Sequence, residues 1–238
     1  MRMQTYGGLD VHIAGGPDRE GGGNGPVVIL LHGFGAPGDD LVSLWRTLRV
    51  PDDVRFMFPV APLKLDQGLP DGRAWWMLDT DLIALHVAQG RERDIDAVPD
   101  GLAAAHERVF AMLDDLDRYE GLSRNRVFLG GFSQGAMLAC DTVLRSPRAF
   151  AGLIILSGSI IARPEWEARW PTRKGLPVFQ SHGTDDPLLP HDTAMQLKDT
   201  LIRHGLAVTW SEFRGGHELP LSVMEQLGLF VTSACGAR

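Results

Sequence analysis

The sequence predicts an α/β fold: a mostly parallel, doubly wound sheet with helices on both of its faces. Two observations carry this expectation. Apolar runs rich in β-branched residues alternate along the chain with segments whose apolar residues recur at helical spacing. Most of the strand-like runs are continuously apolar, the pattern of strands covered on both sides, and their alternation with helices favours a parallel sheet.

The strand-like runs are Val27 to Leu31, Val54 to Phe58, Val127 to Gly130, Gly152 to Leu156, Val178 to Ser181 and Ala207 to Phe213. Among the helical segments, Leu102, Ala105, Val109, Leu113 and Leu116 form one apolar stripe, and Pro99 suits a first turn, where its missing N–H costs nothing. Gly135 to Arg145, Thr193 to His204 and Leu221 to Val231 read as further helices. The stretch from Gly15 to Gly25 is too rich in glycine to order itself and is expected to join an N-terminal strand pair; it lacks a dinucleotide-binding fingerprint.

No repeat and no shift of composition marks a boundary, so one domain is expected over residues 1–238, with an irregular insertion at about 63–96 on the substrate side of the sheet. With 44% hydrophobic and 22% charged residues, the chain has an ordinary globular composition. A net charge of −7 without a lysine- or arginine-rich block argues against nucleic acid or an anionic membrane surface as the main partner. No run approaches the roughly 18 apolar residues of a membrane span, so stable membrane insertion is not expected. Cys140, in an apolar helical pattern, and Cys235, near the C-terminus, suit free thiols rather than a disulfide framework or metal site. Together with an N-terminus lacking an export segment, they give the expectation of a cytoplasmic location.

Chemistry concentrates at Val127 to Ala139: an apolar strand, then Gly131-Phe-Ser-Gln-Gly135, then an apolar helix. Glycines two residues either side of Ser133 let strand and helix approach while the serine is held in a sharp turn. Its hydroxyl would then stand above the sheet at a helix N-terminus, where free N–H groups and the helix dipole favour a developing oxyanion. The competing reading is a helix N-cap serine.

A serine nucleophile needs a base, and the base an orienting acid, in the chain order serine, acid, histidine for this strand–turn–helix arrangement. Val178 to Pro190 is a strand followed by a loop carrying Asp185 and Asp186, and Val208 to Pro220 is a strand followed by a loop carrying His217. Both loops leave C-terminal strand ends, where sites of open α/β sheets form. Of eight histidines, His217 is therefore the candidate base, the alternative being a surface-loop histidine. Asp186 and Asp185 compete as the acid. The residue deeper in the loop reaches His217 more easily, although an aspartate before proline is also a common turn former. After the first strand, Leu30 to Asp39 offers a glycine-bearing loop. The backbone N–H groups of Phe34 and Gln134 are the candidate oxyanion hole, with His32 holding the loop rather than acting as a second base.

Together these pieces resemble the phospholipase/carboxylesterase family of small α/β-hydrolases, which includes acyl-protein thioesterases and bacterial carboxylesterases. The resemblance rests on Leu31-His-Gly-Phe-Gly35, Phe58-Pro-Val-Ala-Pro62, Arg73-Ala-Trp75, Gly130-Gly-Phe-Ser-Gln-Gly-Ala136, His182-Gly-Thr-Asp-Asp-Pro-Leu-Leu-Pro190 and Gly216-His217, in the family's order over nearly the whole chain. It implies an α/β-hydrolase fold, no metal or organic cofactor, and a homodimer as an assembly the family allows. In the family's His-Gly-x-x-Asp pattern the acid falls on Asp186.

The implied activity is that of a serine carboxylesterase on small-molecule, short- to medium-chain esters, with acyl-protein thioesterase or lysophospholipase as alternatives. A catalytically silent binding module would lack a triad member, and none is missing. This chain departs from the family at Trp75-Trp-Met-Leu-Asp79, where a tyrosine or phenylalanine and an aspartate often follow Arg-Ala-Trp. Trp75, Trp76 and Leu188 are the substrate-binding candidates; the competing reading for the two tryptophans is packing of the insertion onto the sheet. The run Arg91 to Asp96 reads as a solvated face.

Overall fold

The computed structural model describes residues 1–65, 71–81, 85, 89, 94–120, 122 and 126–236. Its strands are β1 (Arg2–Tyr6), β2 (Leu9–Gly15), β3 (Val27–Leu31), β4 (Arg55–Pro59), β5 (Leu63–Lys64), β6 (Arg73–Ala74), β7 (Val127–Phe132), β8 (Gly152–Leu156), β9 (Pro177–Gly183) and β10 (Ala207–Phe213). Eight of them form one sheet in the order β1-β2-β4-β3-β7-β8-β9-β10, and β5 and β6 form a separate antiparallel ribbon. Within the large sheet β1–β2 and β2–β4 are antiparallel; every other pairing is parallel.

The described α-helices are α1 (Leu44–Thr47), α2 (Leu102–Glu120), α3 (Gln134–Arg145), α4 (Arg163–Glu167), α5 (His191–Arg203) and α6 (Leu221–Gly236). The two-residue period of β3 shows how the sheet acquires two cores. Val27, Ile29 and Leu31 join the apolar cluster under α2, α3 and α5, while Val28 and Leu30 join the cluster that contains Val223, Leu227 and Phe230 of α6. Helices therefore cover both faces, and a strand such as β3, with all five residues buried, has no polar side to show.

One expectation about the N-terminus is corrected. Gly7 and Gly8 close the β1–β2 hairpin, and the stretch from Gly15 to Gly25 instead carries the chain from β2 to β3. Local hydrogen bonds order it: the Asp18 carboxylate accepts from the N–H groups of Glu20 and Gly22 at 2.8 and 2.9 Å, and Gly16 N–H donates to the Val54 carbonyl at 2.8 Å. An Asx-type turn thus supplies the order that glycine composition alone denies.

In the insertion, Arg91 to Arg93 lie outside the described residues. Asp94 accepts from the N–H groups of Asp96 and Ala97 at 3.0 and 3.1 Å, and Asp96 pairs with Arg163 of α4 through two bonds of 2.7 and 2.8 Å. Among the described residues no helix is long and apolar enough to cross a membrane.

Candidate active site

β7 ends on Phe132 and α3 begins on Gln134, which leaves Ser133 alone in the turn. Its backbone sits at φ 54° and ψ −117°, a conformation that costs a non-glycine residue on the order of 1–3 kcal/mol. Surrounding bonds hold it there: Ser133 N–H donates to the Leu156 carbonyl at 2.9 Å, and its own carbonyl accepts from Ala136 and Met137 at 3.0 and 3.2 Å. The side chain makes no capping bond to α3, so the N-cap reading finds no support. Close packing explains the flanking glycines. A Cβ on Gly131 or Gly135 would lie 2.4 or 2.1 Å from the Leu31 carbonyl oxygen, too near for any side chain.

The loops after β9 and β10 meet above the same end of the sheet. Thr184 N–H donates to the Phe213 carbonyl at 2.9 Å and Asp185 N–H to that of Gly215 at 3.0 Å, which ties one loop to the other. Across this seam the Nδ1 of His217 lies 2.7 Å from Asp186 Oδ2. Asp186 Oδ1 accepts from the N–H groups of Leu188 and Leu189, each at 2.9 Å. Burial alone would raise the Asp186 carboxyl; the bonds from His217, Leu189 and Leu188 outweigh it and hold the group below the usual carboxylate range. An ionised Asp186 makes His217 Nδ1 the donor and leaves Nε2 for proton transfer. Asp185 faces solvent and takes a bond from the Thr184 hydroxyl at 3.3 Å. The ring of His217 packs on that of Phe132, 4.7 Å between centroids, which brings it beside the residue preceding Ser133.

On the β3 side, His32 is buried with both ring nitrogens engaged. Nε2 accepts from Ala61 N–H at 3.0 Å, so Nδ1 carries the proton and donates to the Gly33 carbonyl at 2.8 Å. Burial pushes its pKa down, and a neutral ring with no free nitrogen is a brace rather than a base. Among the described residues the N–H groups of Phe34 and Gln134 donate to no backbone or side-chain acceptor, as oxyanion donors must before substrate arrives.

Trp75 and Trp76 are core residues at 2% and 1% exposure, so they form no open pocket wall; the packing alternative describes them. Their placement has a physical cause, since Trp75 Nε1–H donates to the His32 carbonyl at 2.9 Å and its ring lies 5.5 Å from the imidazole. Leu188, two residues beyond Asp186, is 59% exposed and is available to a substrate.

Two contributors escape sequence reasoning. Buried His182 bonds through Nε2 to the Leu189 carbonyl at 2.8 Å and stands 3.4 Å from Asp186 Oδ2, which stiffens the acid's loop. The side chain of Gln134, buried at the start of an otherwise apolar helix, grips the backbone of Trp75 and Trp76. A polar residue in an apolar helical run was the available signal for the second; for the first it was the place of His182 in the His-Gly-x-x-Asp pattern, which marks the residue without giving its contact. Among the described residues no group of three histidine, cysteine, aspartate or glutamate side chains is gathered to hold a metal ion.

Comparison with known proteins places this architecture. Residues 20–234 match the family model described as Phospholipase/Carboxylesterase. An acyl-protein thioesterase 1 of Neurospora crassa is 26% identical over 219 residues, covering 87% of this chain and 85% of that protein. Its counterpart in Kluyveromyces lactis is 28% identical over 219 residues, covering 87% and 91%. Among solved structures, the esterase PE8 superposes with a TM-score of 0.79 at 31% identity, over 95% of this chain and 99% of that one. The Zea mays acyl-protein thioesterase 2 shares the fold with a TM-score of 0.69 at 22% identity, covering 95% and 99%. The parallel sheet, the strand–serine–helix turn and this match over nearly the whole length lead to one assignment: the chain belongs to the phospholipase/carboxylesterase family of α/β-hydrolases.

Proposed function

We propose that the protein is a serine carboxylesterase that hydrolyses short- to medium-chain carboxylic esters, with Ser133 as nucleophile, His217 as general base and acid, and Asp186 as the orienting acid. The observation that carries this reading is the 2.7 Å bond from His217 Nδ1 to a carboxylate already held by two backbone N–H groups, beside the turn that strains Ser133. His217 Nε2 takes the Ser133 proton as the hydroxyl oxygen attacks the ester carbonyl, and the resulting oxyanion faces the N–H groups of Phe34 and Gln134. Collapse of the tetrahedral species breaks the bond to the alcohol, which leaves with the proton from His217. Water, deprotonated by the same nitrogen, then cleaves the acyl-enzyme, and the proton returns to Ser133. The two free thiols accord with a reducing compartment, and we place the protein in the cytoplasm.

Thioester hydrolysis is the second reading, because the curated relatives named above are acyl-protein thioesterases. One panel separates the two: p-nitrophenyl esters and acyl thioesters of increasing chain length, with a lysophospholipid, each run with Ser133→Ala. Highest kcat/KM on short and medium esters, abolished in the variant, is the expected outcome. A preference for long-chain thioesters moves the assignment to the second reading, and undiminished turnover by Ser133→Ala contradicts both.

A further inference from the structure

The two N–H groups assigned to the oxyanion hole come from the loop after β3 and from the first residue of α3; pairing of β3 with β7 brings the two segments side by side, and the fine distance between them is left to the contacts above the strand ends. The segment Arg73–Trp76 touches both. Toward the Phe34 loop it makes three bonds: Gly35 N–H to the Arg73 carbonyl at 2.8 Å, Arg73 N–H to the Ala36 carbonyl at 2.9 Å, and Trp75 Nε1–H to the His32 carbonyl at 2.9 Å. Toward α3 it is hydrogen-bonded by the side chain of Gln134. Gln134 Oε1 accepts from Trp75 N–H at 3.0 Å, and Gln134 Nε2 donates to the Trp76 carbonyl at 2.8 Å.

We propose that the side-chain amide of Gln134 is a positioning group for hydrolysis: by gripping the Trp75–Trp76 backbone, it sets the separation between its own main-chain N–H and that of Phe34, and so the fit of the oxyanion hole to the tetrahedral intermediate. The inference rests on the serine esterase reading above. Its physical basis is that donors work only when aimed within hydrogen-bond distance of the developing oxyanion, and a displacement of about 1 Å can cost about a hundredfold in rate. His32, Trp75 and Gln134 are all essentially removed from water, so the bonds are not exchanged with solvent and the brace is stiff. Packing alone asks only for a side chain of this length; satisfying one backbone donor and one backbone acceptor asks for an amide.

Two variants test this. Gln134→Met keeps length and burial but removes both grips. Gln134→Glu keeps an acceptor and regains a donor only when its carboxyl is protonated. Wild type and variants are labelled with a fluorophosphonate probe, assayed on p-nitrophenyl butyrate, and inhibited by an alkyl trifluoromethyl ketone, whose adduct carries an oxyanion. Thermal melts check that each is folded.

kcat/KM of Gln134→Met should fall about 10- to 100-fold, with the ketone Ki rising by the same factor. The activity of Gln134→Glu, taken relative to wild type at each pH, should recover as the pH is lowered. A folded Gln134→Met with kcat/KM and Ki within about twofold of wild type overturns the proposal. So does a pH-independent Gln134→Glu ratio, which decides the matter if the methionine variant does not fold. Failure of the probe to label Ser133 in wild type is a different result: it overturns the serine reading itself.

Discussion

Two part-buried histidine–aspartate hydrogen bonds, His217–Asp186 and His106–Asp141, look alike as pairs, and the difference in their surroundings is what sets the first apart. His217 Nδ1 meets Asp186 Oδ2 at 2.7 Å; His106 Nδ1 meets Asp141 Oδ2 at 3.0 Å. Burial does not separate them, because in both pairs the histidine side chain is 13% exposed and the aspartate side chain 0%. Partners do. Asp141 lies in mid-α3, where Arg145 Nε donates to it at 2.9 Å and Trp166 Nε1 at 3.0 Å, and Arg145 continues to Glu165 at 2.5 Å. That carboxylate joins α2, α3 and α4 and faces no strained hydroxyl. Asp186 takes its other bonds from backbone N–H groups on its own loop, at the C-terminal end of β9, and its histidine packs against Phe132 beside Ser133. In the proposed mechanism, location at the strand ends, rather than the pair itself, singles out His217–Asp186.

The contrast is broken most directly by swapping each aspartate for asparagine. Asp186→Asn should lower kcat by about ten-thousand-fold, since the amide cannot hold His217 in the working tautomer or stabilise its cation, while the melting temperature stays close to that of wild type. Asp141→Asn should do the reverse. It weakens the bonds from Arg145, which keeps Glu165 as a counter-charge, and should cost about 2 kcal/mol of stability, read by urea unfolding, with kcat per folded molecule within about twofold. A large rate loss in Asp141→Asn would mean that the α3 network reaches the site.

Smaller effects sharpen the picture. Burial holds His32 and His182 below the usual histidine value of 6.5 in the folded state, so below that pH the unfolded chain binds more protons than the native one. Stability is then fully present above about pH 6.5 and declines as pH falls toward the native pKa values. Urea unfolding between pH 7.5 and 5 should show this decline, and His182→Gln should reduce its slope. Least affected is Asp185→Asn, because Asp185 faces solvent; its kcat should stay within about twofold of wild type and its stability within about 0.5 kcal/mol.

Sequence reading succeeded where one physical rule dominates. β3 and β8 fall on the residues expected, Val27–Leu31 and Gly152–Leu156, because continuous apolar runs mark strands buried on both faces. The serine turn and the two loops could be read because glycines, strand ends and chain order constrain them together. What stayed hidden depends on tertiary docking. α4 is only five residues long and is held by burial of Trp166 rather than by helical periodicity. The Asp141 pair needs α2 and α4 to be laid against α3 before its residues meet. Burial of Trp75 and Trp76 likewise follows from the His32 carbonyl and the Gln134 amide, neither of which composition reveals.

In the proposed mechanism Ser133 is activated by the His217–Asp186 pair and not by the His106–Asp141 pair. Fluorophosphonate labelling followed by peptide mass spectrometry tests it in one measurement on wild type, Asp186→Asn and Asp141→Asn. One label per chain is expected, on Ser133, forming at the same rate in wild type and Asp141→Asn and at least about a hundredfold more slowly in Asp186→Asn. Labelling at another residue, or equal rates in the two aspartate variants, would contradict it.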